Sequence, residues 1–175
     1  MEKESQWSES LKTLLSDKGF KISVYNRSVS GETTGGGLTR ISRILDELKP
    51  TFLLLELGGN DALRGYPPKN IYENLNKMIE ASEKRGVEVF LMQIRILPNY
   101  GKRYQTQFES IYPTLSQEND VILLPFMKLP GYPLDVNTTF NAISSCHLRL
   151  RCFKPPSIVA KIAVRKSDFN LGNIT

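Results

Sequence analysis

Cysteine and histidine are scarce in this sequence: its 175 residues include two cysteines and one histidine, Cys146, His147 and Cys152, all near the C-terminal end. That set is too small for a disulfide framework and offers too few ligands for a zinc site, so neither staple is expected to hold the fold, and no metal or organic cofactor is expected. Long hydrophobic runs are missing as well. No stretch approaches the roughly 20 apolar residues needed to cross a bilayer. The opening MEKESQWSES is polar and has no hydrophobic segment of the kind a secretory signal needs, so the chain as encoded reads as soluble and cytoplasmic. No low-complexity tract or internal repeat is present, which excludes a disordered linker and a solenoid.

What is present suits one globular domain. With 40% hydrophobic and 23% charged residues, a chain of this length buries roughly two-thirds of its unfolded surface. The net charge of +5 invites a nucleic-acid reading, but its distribution argues against one. Residues 136–175 hold Arg149, Arg151, Lys154, Lys161, Arg165 and Lys166 against Asp168, so the tail carries the whole excess and the body is neutral. The basic tail fits no nucleic-acid module, so no nucleic-acid partner is expected.

Hydrophobic periodicity divides the chain into alternating elements. Trp7, Leu11, Leu14 and Leu15 lie at helical spacing within 6–18, and Gly19 follows as a stop. KISVYN (21–26) alternates as a strand does. LTRISRILDELK (38–49) is an amphipathic helix ended by Pro50. TFLLLELGG (51–59) is a continuous apolar run, the mark of a strand buried on both faces of a parallel sheet. A helix over 71–86, a strand over 87–94, a helix over 103–119 containing Pro113 and a strand over 121–126 complete the pattern. PPSIVAKIAVRK (155–166) reads as a short helix started by its prolines. Such alternation predicts an α/β fold with a parallel sheet covered by helices on both faces. In such sheets ligands bind at the carboxyl ends of the strands, which places any chemistry in the loops 27–37, 58–70 and 95–102.

The first of these loops, NRSVSGETTGGG (26–37), contains Gly31 and the run Gly35–Gly37. It has neither the Walker lysine pattern nor GxGxxG, so by itself it is a strand-to-helix turn. The second, LGGNDALRG (57–65), delivers Asn60 and Asp61 to the sheet edge directly after a buried strand. An asparagine amide there can donate to a developing oxyanion, and Gly59 lets the backbone come close. Alone, the same residues are an Asx-type turn.

Taken together the segments resemble a family. VSGET followed by an amphipathic helix, LLLELGGNDALRG, FLMQIRILPNYGKRY and FESIYPTLSQENDVILLPF are similar, in order and spacing from Trp7 to Phe126, to the SGNH-hydrolase superfamily. Within it they are most like the bacterial arylesterase, thioesterase I and lysophospholipase group. The resemblance implies a three-layer α/β/α, flavodoxin-like sandwich and serine-dependent hydrolysis of a small acyl ester or thioester. In that chemistry a GDS serine attacks the carbonyl, a histidine in a DxxH motif acts as base, and an aspartate orients the histidine. The oxyanion donors of the family fall on the Gly31 backbone N–H and the Asn60 side chain. Gly59, Asp61, Asn99 and Tyr100 match segments that shape the substrate cleft.

Two departures accompany the likeness. No GDS tripeptide occurs; the family serine would lie upstream of Met1, and Ser8 and Ser10 fall inside the first helix as surface positions. An export signal would precede that block, which leaves the compartment open. Where the family reads DGIH, this chain reads SSCHL, so His147 is the candidate base while Ser144 stands in the aspartate's place; Asp135 lies twelve residues upstream. The division expected is therefore an N-terminally truncated SGNH-hydrolase-like domain over 1–135 and a divergent basic tail over 136–175, with activity impaired. A non-catalytic remnant or binding protein of the same fold is the alternative, and carbohydrate-ester binding a third. The family's first strand is central, so its absence would leave 21–26 and 51–57 facing each other across a gap. Unpaired buried backbone groups cost roughly 1–3 kcal/mol each against a net stability of about 5–15 kcal/mol, which predicts a marginal fold.

Overall fold

The computed structural model describes residues 7–17, 23–96, 98–124 and 157–162. Its elements are α1 (Trp7–Asp17), β1 (Ser23–Asn26), α2 (Thr34–Leu48), β2 (Phe52–Leu55), α3 (Gly59–Leu63), α4 (Pro68–Glu83), β3 (Glu88–Met92), a 3-10 turn (Pro98–Tyr100), α5 (Lys102–Glu118), β4 (Ile122–Leu124) and β5 (Ser157–Ile162). The sheet order is β1-β5-β2-β3-β4, and every pairing is parallel.

Alternation along the central strands defines the layers. Leu53, Leu55, Val89 and Leu91 point into one apolar cluster with Ile41, Ile44 and Leu45 of α2, Leu75 and Met78 of α4, and Phe108 and Leu115 of α5. Phe52, Leu54, Phe90 and Met92 are equally buried but belong to the other face, where the Phe52 and Phe90 rings lie 5.7 Å apart. Helix α1 contributes Leu11 and Leu15, both buried outside the first cluster. The result is the expected α/β/α arrangement. Each side chain of this size that is removed from water contributes about 1.5–3 kcal/mol, so the doubly buried strands β2 and β3 anchor the whole fold.

Several boundaries differ from the periodicity. Helix α2 begins at Thr34, not 38, because Thr33 caps it: the Gly36 N–H donates to Thr33 Oγ1 at 3.3 Å. Gly35–Gly37 are thus the helix's first turn and no loop. At its other end Lys49 takes a left-handed conformation (φ 43°), and its N–H reaches Leu45 O at 2.9 Å before Pro50. Helix α4 starts at Pro68, where a proline's fixed φ suits the first turn. Helix α5 runs through Pro113, which removes one main-chain hydrogen bond. The stretch 59–63, read as a loop, is the short helix α3.

The largest correction concerns 155–166. Residues 157–162 form a strand, where the prolines suggested a helix. No described strand precedes β1, and the central place next to it is taken by β5, which pairs Ser23–Asn26 with Ser157–Ala160 on one side. On its other side it pairs with Phe52–Leu55, with a register shift between Leu54 and Leu55. The gap expected between 21–26 and 51–57 is therefore closed, and the anticipated loss of ladder bonds does not arise. Two flanking strands with unpaired groups override a weak helical pattern, and β-branched Ile158, Val159 and Ile162 favour the extended form.

Candidate active site

The β1–α2 loop is held in shape from α2. The Arg40 guanidinium donates to Arg27 O at 2.7 Å and to the Glu32 carboxylate, with Nε–Oε1 at 2.6 Å and a second contact to Oε2. Glu32 is only 9% exposed, and a planar guanidinium contacts both of its carboxylate oxygens. Between these anchors Gly31 sits at φ +73°, a conformation that L side chains resist, although a Cβ there would meet nothing within 4 Å. Backbone conformation, then, is what demands glycine at 31. The Gly31 N–H has no acceptor among the described residues.

The β2–α3 loop comes to meet it. Asn60 Nδ2 donates to Glu32 O at 2.8 Å, and the Arg64 guanidinium donates to Gly31 O at 3.3 Å. The turns containing Gly31 and Asn60 thus converge on one part of the carboxyl rim. Asn60 is half-buried and commits one of its two Nδ2 hydrogens there, which leaves the other for a ligand. Gly58, at φ +116°, lies so close to α5 that a Cβ would stand 2.5 Å from Tyr112 Oη. The Tyr112 hydroxyl donates to Leu57 O at 2.9 Å, fixing the loop's entrance. Burial drives the Tyr112 pKa well above the usual tyrosine range.

Asp61 faces inward beside Asn60. It is 1% exposed and accepts from Thr34 N at 2.8 Å and Thr34 Oγ1 at 2.6 Å. Thr34 Oγ1 in turn accepts from Asn74 Nδ2 at 3.0 Å, so one buried network joins α2, α3 and α4. The carboxylate lies at the positive end of the α2 dipole, which helps to hold a buried charge. Its contacts make Asp61 a brace between the two loops; none of them faces a cleft.

The third loop borders the same rim. Tyr100 is half-buried and its ring lies 6.5 Å from that of Tyr104, which continues through Phe108 to Tyr112 in a ladder of aromatic contacts. Tyr104 Oη donates to Tyr66 O at 2.7 Å and so ties the exit of the second loop. Burial first, and then the Asp61 charge, raise the Tyr104 pKa. Gly59 opens α3 and is half-buried; Asn99 is exposed, with no hydrogen bond to Gly31 or Asn60. His147, Ser144 and Asp135 lie outside the described residues. No group of three or more metal-ligating side chains occurs among the described residues.

Arg40, Glu32 and Tyr112 escaped the sequence reading because spacing does not disclose a partner across a turn. Asp61 did carry a signal: an acid followed directly by Ala62 and Leu63 after a buried strand must be capped or paired.

Comparison with known proteins agrees with this fold. The model of the GDSL-like Lipase/Acylhydrolase family matches residues 2–145. An arylesterase of Vibrio mimicus is 48% identical over 123 residues, 70% of this chain and 62% of that protein. The thioesterase 1/protease 1/lysophospholipase L1 of Escherichia coli K12 is 46% identical over 114 residues, 65% of this chain and 55% of that protein. The chain therefore spans less than two-thirds of the length of these curated relatives. Among solved structures, the psychrotrophic esterase EstA of a Pseudoalteromonas species, inhibited by monoethylphosphonate, superposes with a TM-score of 0.75 at 29% identity, covering 85% of this chain and 91% of that one. AlinE4, an SGNH-hydrolase family esterase, gives a TM-score of 0.69 at 32% identity, covering 87% and 89%. By sequence match and by fold, this chain belongs to the GDSL-like lipase/acylhydrolase family, whose members include SGNH esterases.

Proposed function

We propose that the rim between Gly31 and Asn60 receives the carbonyl of an acyl ester or thioester and steadies the tetrahedral adduct of a serine-dependent hydrolysis. The arylesterase, thioesterase and lysophospholipase named among its relatives set the substrate type. The observation that supports this reading is the Asn60 Nδ2–Glu32 O bond of 2.8 Å, which ties the Asn60 side chain to the residue after Gly31. The Gly31 N–H and the second Asn60 Nδ2 hydrogen would donate to the developing oxyanion, and donors held in place stabilise such charge without reorganising. Gly59, Asn99 and Tyr100 would border the acyl chain. His147 would serve as base.

In this reading turnover is impaired. The sequence has no Gly-Asp-Ser tripeptide to supply the nucleophile and reads SSCHL where an aspartate should orient the histidine. That same observation favours a second reading, a binding protein that keeps the oxyanion donors without chemistry.

Hydrolysis of p-nitrophenyl butyrate and labelling by a serine-directed fluorophosphonate separate the two. Turnover with a labelled serine, falling about 100- to 1,000-fold in Asn60→Ala, supports the hydrolase. Neither signal supports the binding protein, and turnover indifferent to Asn60→Ala removes the proposed site.

A further inference from the structure

The carboxyl rim presents a surface whose composition the ester site does not explain. Among the described residues it is made of the loops 27–33 and 57–67 and the stretch 93–103. They are joined by Asn60 Nδ2 to Glu32 O at 2.8 Å, the Arg64 guanidinium to Gly31 O at 3.3 Å, Tyr104 Oη to Tyr66 O at 2.7 Å, and the Tyr100 and Tyr104 rings at 6.5 Å. Of the four large hydrophobic side chains exposed in the described structure, three stand here: Val29 at 47%, Leu63 at 43% and Tyr66 at 43%.

The charges are equally one-sided. Arg64, Arg95, Lys102 and Arg103 are exposed, and none forms an ion pair with a described acid. The acids of these segments, Glu32 and Asp61, are both buried and engaged, one by Arg40 and the other by Thr34. Glu56, just before the second loop, is half-buried with its Oε2 shielded from solvent. Arg27 turns away along α2 to Glu47. Water at this rim therefore meets cations and apolar groups and no exposed carboxylate of these segments.

We infer that the carboxyl rim docks on an anionic lipid surface. The four cations would meet lipid phosphates, which guanidinium groups can grip through two parallel hydrogen bonds. Val29, Leu63 and Tyr66 would enter the boundary between headgroups and acyl chains, as exposed apolar side chains flanked by basic ones do at membrane interfaces. The docking is peripheral: no helix among the described residues is long and apolar enough to cross a membrane. Gly31 and Asn60 would then face the layer that holds acyl esters. The inference goes beyond the proposed hydrolysis and is read by binding alone, so it stands or falls whether or not the chain turns over.

The test is co-sedimentation of the full chain with vesicles of phosphatidylcholine alone or mixed with phosphatidylglycerol, at low and high salt. Binding is expected only to the mixed vesicles and is expected to weaken with salt. Each cation near the surface is worth about fivefold in partitioning, so Arg95→Glu/Lys102→Glu/Arg103→Glu should lower binding by about 100-fold or more. All three are exposed, and the melting curve of the variant checks that it folds. Leu63→Ser should weaken binding while the salt dependence remains, and Lys77→Glu, on the exposed side of α4, should change little. Equal binding to both vesicle types, no binding at all, or full binding by the triple variant through its untouched basic tail would each overturn the inference.

Discussion

At the amino-terminal end of the sheet Arg85 spends its guanidinium on Asp46, with Nε–Oδ1 at 2.7 Å, and Lys84 lies 3.7 Å from Glu80. At the carboxyl end Arg64 donates to a backbone carbonyl, and Arg95, Lys102 and Arg103 form no ion pair with a described acid. The carboxylates differ in the same way. Asp46 is in water and merely meets a neighbour, whereas Asp61 is buried and braces two loops. The amino end is tied together by pairs that satisfy themselves; the carboxyl end hides its pairs inside and turns unmatched donors and cations outward. A change at the first should therefore be nearly silent, and a change to the hidden braces of the second should be costly.

The largest effect should come from Asp61→Ala. Removing the carboxylate strands the Thr34 N–H and hydroxyl in a dry interior, at roughly 1–3 kcal/mol each, a large share of a typical net stability of about 5–15 kcal/mol. Urea unfolding should show a loss of about 2–6 kcal/mol by that arithmetic, and an unchanged midpoint would mean the brace carries nothing.

Gly58→Ala comes next. The substitution meets a φ of +116° and Tyr112 Oη at 2.5 Å, and strain of this kind costs about 1–3 kcal/mol. Combining it with Tyr112→Phe, which deletes that oxygen, should recover part of the loss in a double-mutant cycle. Strict additivity would show that Tyr112 is not the obstacle.

Arg85→Ala should be the least visible. The pair keeps the Asp46 pKa below its ordinary value, chiefly through the Arg85 hydrogen bond. A depressed folded pKa gives stability that is present above the unfolded carboxylate value and is lost as pH falls through the folded one. The variant should thus differ most from the parent above about pH 4, near the ordinary Asp pKa, with the difference fading as pH falls below it, and even at its fullest by little, since exposed pairs contribute weakly. A large shift in urea midpoint at neutral pH would erase the contrast between the two ends.

Much of this architecture was legible in the residues, for particular reasons. The continuous apolar run at 52–55 could only be a doubly buried parallel strand, and it is. The amphipathic spacing of Ile41, Ile44 and Leu45, or of Ile71, Leu75 and Met78, marks a face that must bury itself, and both faces do. Gly31 and Asn60 were singled out because loops after parallel strands gather at one edge, and their turns meet there through Glu32 O. Local pattern did not reveal β5. Its conformation is decided by Ser23–Asn26 and Phe52–Leu55, far away in sequence, and not by Pro155 and Pro156 beside it. Helix α3 was hidden for a related reason: five residues are too few for a period to show. Asp61 was placed among cleft residues, whereas its contacts turn inward to Thr34, a distinction that depends on side-chain direction and not on position in the chain.

The far-travelled strand at the centre of the sheet has a consequence for biosynthesis. Among the described residues Ser23 pairs with Ser157, so a chain emerging from the ribosome exposes the facing edges of β1 and β2 until β5 has been made. Through that interval two open edges are available to any passing extended peptide, and closure has to span a long loop before it is rewarded. Synthesis speed and chaperone cover between the emergence of β2 and that of β5 should govern the yield of this protein more than the stability of the finished sheet.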